Sequence, residues 1–268
     1  MIMVTYVFSD VHGHLAPLQR LFERVAPSAD DTIFMLGDMV DRGPDPVGVM
    51  RFCHDLPGAH VLMGNHEDLM MSYMHAQNDP VARMNWEING SGPTMAGLQA
   101  LDAMVRDELL DWVGSLPVSA LAQVGERSYI LVHAGIRSEG LKPRPAWTLD
   151  DLRQLIAEQD IEDLLWIREE FWGAPTGLLD SEGKGPIVIA GHTPTVYLEG
   201  MADVLERSPR DENGLCRQVK VGAVPATSMV ADRWDIDSGA AGGAGFGQVS
   251  MVRLEDGEEF YEPIREGE

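Results

Sequence analysis

Five short apolar runs each end on side chains that can hold a metal ion or move a proton. Val4–Phe8 leads into Ser9-Asp10-Val11-His12, and Thr32–Leu36 into Gly37-Asp38. His60–Met63 leads into Gly64-Asn65-His66-Glu67, Tyr129–Val132 into His133, and Ile187–Ala190 into Gly191-His192. In an extended segment, residues two apart face the same side. Asp10 and His12 could therefore grip one ion together, with Val11 turned away. Taken singly, a His at a strand end is more often packed or on the surface, and an Asp there is usually a turn or helix cap. The recurrence at separate strand ends is what argues for chemistry. Asp10, His12, Asp38, Asn65, His133 and His192 make ligand stock for two divalent ions with one carboxylate shared. Mixed oxygen and nitrogen donors exclude a soft thiolate site and suit Mn, Fe or Zn better than Ca.

Positioning such residues takes an α/β frame. Short β-branched runs bounded by glycine or turn residues read as buried strands. Between the early ones lie helical patterns, Leu15, Leu18, Leu21, Phe22 and Val25 on one, Val47, Met50 and Leu56 on the next. That alternation predicts parallel βαβ units, with the site outside the carboxyl ends of the strands. The segment 67–116 reads as mostly helical and Met-rich, a cap over the site whose methionines form its own core. A second helical stretch is expected over 149–172. Val219–Val221, Ser228–Val230, Trp234–Ile236 and Gln248–Leu254 read as strands of a second, more antiparallel sheet. The glycine-rich stretch 239–247 reads as a tight loop. It lacks the lysine and following helix of a phosphate-cradling loop. The acidic tail 255–268 is expected to fray.

Composition narrows the function classes. The chain has 268 residues and a formal net charge of −23. This disfavours nucleic acid and anionic membrane as partners, and an anionic substrate needs a local positive field from metal ions and arginines. Cys53 and Cys216 have no metal-binding spacing and read as free thiols. With neither a leader-like segment nor a long apolar run, a cytoplasmic protein is expected.

The ordered series Asp10-x-His12-Gly13, Gly37-Asp38-x-x-Asp41-Arg42-Gly43, Gly64-Asn65-His66-Glu67, His133-Ala134-Gly135 and Gly191-His192 resembles the PPP-type metallophosphoesterases, a calcineurin-like superfamily. It is most similar to the small bacterial and phage lambda type of serine/threonine protein phosphatase. The likeness extends to Asn89-Gly90-Ser91-Gly92, Leu165-Trp166-Ile167-Arg168-Glu169 and Ile236-Asp237-Ser238-Gly239-Ala240. The resemblance implies one domain over 1–268, with two packed mixed β-sheets flanked by helices and a helical cap. It implies that Asp10 and His12 bind one metal, Asp38 bridges, and Asn65, His133 and His192 bind the second, Mn being the favoured ion. His66 would be the general acid, oriented by Asp41. Arg42, Arg168 and Asn65 would hold phosphate oxygens while a metal-bridging hydroxide attacks in line.

The chain also departs from that pattern. Ser9 and Ala134 replace customary glycines, and the segment 198–232 is an insertion, read here as a surface hairpin rather than a specificity element. The leading expectation is a phosphomonoesterase acting on phosphoproteins or phosphopeptides. Asp41 favours it over the alternative, a symmetrical diadenosine tetraphosphate hydrolase. A third reading, an inactive phosphate-binding protein, sits poorly with an intact ligand set.

Overall fold

The computed structural model describes residues 3–268. Its centre is a pair of five-stranded sheets packed face to face. The first contains β1 (Thr5–Phe8), β2 (Thr32–Met35) and β3 (Ala59–Val61), all parallel, as the βαβ pattern predicts. The second contains β4 (Ser119–Val124), β5 (Arg127–Val132), β6 (Ile187–Ala190), β7 (Val219–Val221) and β8 (Arg233–Asp235), ordered β4-β5-β6-β8-β7. Here β5, β6 and β8 run parallel, with antiparallel β4 and β7 at the edges, so this sheet is mixed.

Strand alternation explains the layering. In β1, Val7 faces the second sheet, while Tyr6 and Phe8 face the helices. In β5, Tyr129 and Leu131 face the first sheet, while Ile130 and Val132 face outward. Every residue of β6 is buried, as expected where both faces of a strand are covered. Helices α1 (Leu15–Val25) and α2 (Pro46–Asp55) cover the first sheet, with α3 (Asn65–His75), α4 (Pro80–Ile88), α5 (Gly92–Gln99) and α6 (Ala103–Gly114) on the same side. Helices α7 (Leu149–Ala157), α8 (Ile161–Trp166) and α9 (Glu169–Trp172) cover the second.

Several expectations need correction. The stretch 149–172 is three helices, interrupted at residues 158–160 and again at Ile167, which has an extended ψ of 141°, and Arg168. Ser228–Val230 is no strand: Ser228 and Met229 take left-handed φ values of 52° and 63° after a short 3-10 turn. The C-terminal strands divide between both sheets. β9 (Gln248–Arg253) pairs antiparallel with β1, and β10 (Glu259–Pro263) pairs with β9. The tail is therefore strand-forming and tied down. Arg20 holds Glu262 at 2.7 Å and Glu268 at 2.7 Å. No described helix is long and apolar enough to cross a membrane, and both cysteines are buried and unpaired.

Candidate metal and phosphoester site

Parallel strands of both sheets end at one place. β1 delivers Asp10 and His12, β2 delivers Asp38, and α3 opens on Asn65 and His66 just after β3. From the second sheet, His133 follows β5 and His192 follows β6. All these side chains are buried. The strand-end recurrence in the sequence thus brings them together.

Two groups have the spacing of metal ligands: His12, Asp38 and His66, and Asp38, His133 and His192. Asp38 belongs to both. Its Oδ2 lies 3.4 Å from His12 Nε2 and 3.9 Å from His66 Nε2, while its Oδ1 lies 3.5 Å from His133 Nε2. Ligand atoms that share one ion at about 2.0–2.2 Å sit roughly 3.0–3.5 Å apart.

The hydrogen bonds behind the ligands support a cation. His133 Nδ1 faces the Leu36 carbonyl at 2.8 Å, and His12 Nδ1 faces the Val40 carbonyl at 2.9 Å. A carbonyl accepts only, so each Nδ1 carries the proton and each neutral ring turns the Nε2 lone pair inward. Burial lowers His12 and His192 well below their usual value and pushes His133 down to about 3, which keeps the rings neutral. His133 Nε2 nevertheless lies 2.8 Å from the Asn65 Oδ1 acceptor. His192 Nδ1 lies 2.9 Å from the same oxygen, and its buried Nε2 has no partner. Lone pairs converging like this fit a cation between them. Burial and the neighbouring Asp237 carboxylate push Asp10 upward, and burial with Glu67 does so for Asp38, so cation binding would release protons.

Asp10 sits differently from the expectation. The segment after β1 is not extended: Asp10 and His12 have φ values of 50° and 46°. The Asp10 carboxylate accepts from the Ser9 hydroxyl and, at 3.0 and 3.1 Å, from the His192 amide. It is in neither spaced group. Gly191 lets it approach, since a Cβ there would lie 2.0 Å from Asp10 Oδ2.

His66 Nδ1 pairs with Asp41 Oδ2 at 2.7 Å. Asp41 is fully buried. It also accepts from Thr94 Oγ1 at 2.6 Å and from Trp86 Nε1 at 3.0 and 3.1 Å. Both donors come from α4 and α5, so these two helices orient the His–Asp pair from behind. Arg42 follows, its amide bonded to the Gly90 carbonyl at 3.0 Å. Gly90 has φ 97°, and a Cβ there would lie 3.0 Å from Arg42 Cγ. Arg168, expected on a helix, instead occupies the break before α9 with φ −133° and ψ −89°. Arg42 and Arg168 line one cavity of about 390 Å³ with His12, Asp38, Asn65 and His66.

Three roles escaped the sequence. Glu67 is fully buried. Its carboxylate accepts the amides of Asp38, Met39 and Gly64 at 2.8–2.9 Å and of Val40 at 3.2 Å. It fixes the loop that presents Asp38. Asp237 lines the same cavity and is pushed up to about 6 by burial. It follows β8 as His192 follows β6, so the strand-end rule would have found it if applied to Trp234–Ile236. Trp86 and Thr94 gave no signal, because their partner Asp41 is distant in sequence.

Several similarities accord with this geometry. At 33% identity over 159 residues, 58% of this chain matches half of a symmetrical bis(5'-nucleosyl)-tetraphosphatase from Paracidovorax citrulli. At 32% over 186 residues, 67% of the chain matches 60% of the like-named protein from Dechloromonas aromatica. The matched regions thus span half to three-fifths of these curated relatives. Among solved structures, one provisionally named a diadenosine tetraphosphatase superposes with a TM-score of 0.58 at 17% identity, covering 99% of this chain and 95% of that one. A protein serine/threonine phosphatase from Saccharomyces cerevisiae superposes with a TM-score of 0.52 at 14% identity, covering 99% and 81%. These likenesses establish the fold. The sequence profile of the calcineurin-like phosphoesterases matches residues 3–217, and the chain belongs to that family.

Proposed function

We propose that the chain hydrolyses the phosphoanhydride chain of dinucleoside polyphosphates, using two divalent ions, manganese being the favoured metal. The observation that carries the hydrolytic part is Asp38, shared by two groups of ligand spacing beneath two arginines. The names of the relatives at 32–33% identity favour the dinucleotide over a phosphoprotein, reversing the preference that Asp41 suggested.

Asp38 would hold both ions, with His12 on one and Asn65, His133 and His192 on the other, leaving His66 of the first group for proton transfer. Asp10 would support the second by fixing the His192 backbone. Bound ions would supply a nucleophile at neutral pH and neutralise charge on the phosphoryl group. Arg42 and Arg168 would fork onto the phosphoryl oxygens. His66, held by Asp41 through Nδ1, presents Nε2 to the cavity and would give the leaving oxygen its proton.

A phosphopeptide phosphatase is the second reading, and one observation favours it. The cavity of about 690 Å³ next to the site, sharing Trp166 and Arg168, carries Asp160, Glu162, Asp163, Glu169 and Glu170. A basic peptide would suit it. Manganese-dependent hydrolysis of diadenosine tetraphosphate and of phosphoserine and phosphotyrosine peptides, run side by side, decides between the two. Faster turnover of the peptides would reverse the order proposed here. No turnover of either, with no metal bound, would remove both.

A further inference from the structure

The lining of the cavity at the candidate metal site is of mixed character. The neighbouring groove, which shares Trp166 and Arg168, is lined by five carboxylates and by Arg137, a net negative lining that disfavours a polyphosphate. The lining of the site's own cavity also includes Pro194, Tyr197, Ala241, Gly242 and Phe246. None of these five bears a charge, and two carry aromatic rings.

Tyr197 lies on a 3-10 turn, Thr195–Gly200, held by buried Thr195 and Leu198, yet its own side chain is 54% exposed. A large aromatic left open at the rim of a phosphate site is a stacking platform in waiting, because every nucleobase offers a π-face. Phe246 is half-buried and fixed from behind. Its carbonyl accepts the Cys216 amide at 2.9 Å, and the Arg210 guanidinium lies 5.6 Å from its ring centroid. Cys216 and Arg210 both belong to the 198–232 insertion. They are joined to each other by a β-bridge, and the Cys216 carbonyl accepts from Gln248 at 2.9 Å. Gly242 makes room for the ring, since a Cβ there would lie 2.2 Å from Phe246 Cδ1.

We propose that Tyr197 and Phe246 form the wall that stacks on a nucleobase of the substrate, and that the 198–232 insertion is a positioning element holding Phe246 there. The identity of that ring rests on the dinucleotide reading. The insertion, expected to be a surface hairpin, is thereby given a part in specificity.

The test measures binding of adenosine diphosphate and of inorganic pyrophosphate to the manganese-loaded protein by calorimetry. Both probes carry the diphosphate, and only one carries a ring. The wild-type protein should prefer adenosine diphosphate by at least about ten-fold. Tyr197→Ala and Phe246→Leu should each reduce that preference by about ten-fold, and Arg210→Met by about three-fold. Tyr197 is exposed, so its variant reads out even if Phe246→Leu folds poorly. Equal binding of the two probes by wild type, or a preference unchanged in Tyr197→Ala, overturns the wall. Hydrolysis of diadenosine tetraphosphate by wild type is scored separately. Activity without ring preference leaves the function standing and removes the wall. Ring preference without that activity keeps the wall and removes the dinucleotide.

Discussion

The two sheets feed one site by different means. On the first sheet's side, Asp10, His12, Asp38, Asp41 and Arg42 all have left-handed φ values, between 46° and 69°. On the second sheet's side only His192, at 66°, does so, and His133 follows directly from a regular strand. A non-glycine residue in that region costs on the order of 1–2 kcal/mol. The first side therefore has restraints in proportion: the Glu67 carboxylate on four backbone amides, Thr94 on the Asp41 amide at 2.9 Å, and the Gly90 carbonyl on Arg42. On the second side the one left-handed residue, His192, has one such restraint, its amide on the Asp10 carboxylate. In the proposed function, the proton donor His66 and the phosphate ligand Arg42 would belong to the strained side, while Arg168 and the metal-ligand candidates His133 and His192 lie on the second.

That contrast can be broken in order of effect. His66→Asn should keep its metals but lower kcat on poor leaving groups by about 10²–10⁴. Undiminished turnover on an alkyl phosphate would remove the proton-donor role. Glu67→Gln and His192→Asn should then part company in chelator. We expect Glu67→Gln to lose about 3 kcal/mol, a fall of roughly 6–10 °C in Tm for a chain of this size. His192→Asn should abolish metal binding by elemental analysis yet hold its metal-free Tm within about 2 °C. Equal Tm losses would mean that both sides are built alike. Trp86→Phe removes one donor from Asp41 and should cost about 1.5 kcal/mol, seen as up to roughly ten-fold in kcat. The smallest effect belongs to Arg20→Met. Loss of its Glu262 and Glu268 contacts should lower Tm by about 1–3 °C, since partly exposed ion pairs contribute below about 1 kcal/mol each, with kcat unchanged. A drop in its kcat would show that the tail reaches the site.

The contrast also explains what the sequence could tell. Strand starts and ends at β1, β2, β5 and β6 are legible because buried runs halt on polar residues. The ligands are legible for the same reason. Glu67 is visible only as a neighbour of His66, because its partners are backbone amides at residues 38–40 and 64, and amides have no residue signature. The same-side argument for Asp10 and His12 assumes an extended strand, and left-handed φ at both residues undoes it. β4 and β10 carry little sequence signal because their faces are only partly buried, which weakens alternation. The helical period of the sequence runs on through Arg168, whereas the chain leaves the helix at Ile167 and restarts only at Glu169.

One feature of the sheet order bears on how the site comes into being. β1, which presents Asp10 and His12, lies between β2 and β9, with Tyr6 opposite Arg253. Its second neighbour is therefore synthesised after every candidate ligand from Asp10 to His192. A ribosome-bound chain already carrying His192 still lacks β9 beside β1, leaving one flank of that strand unpaired. Such late, long-range pairing is slow to close. The candidate metal site thus reports the closing of a long-range strand pair: a nascent chain holds every candidate ligand before it holds the site.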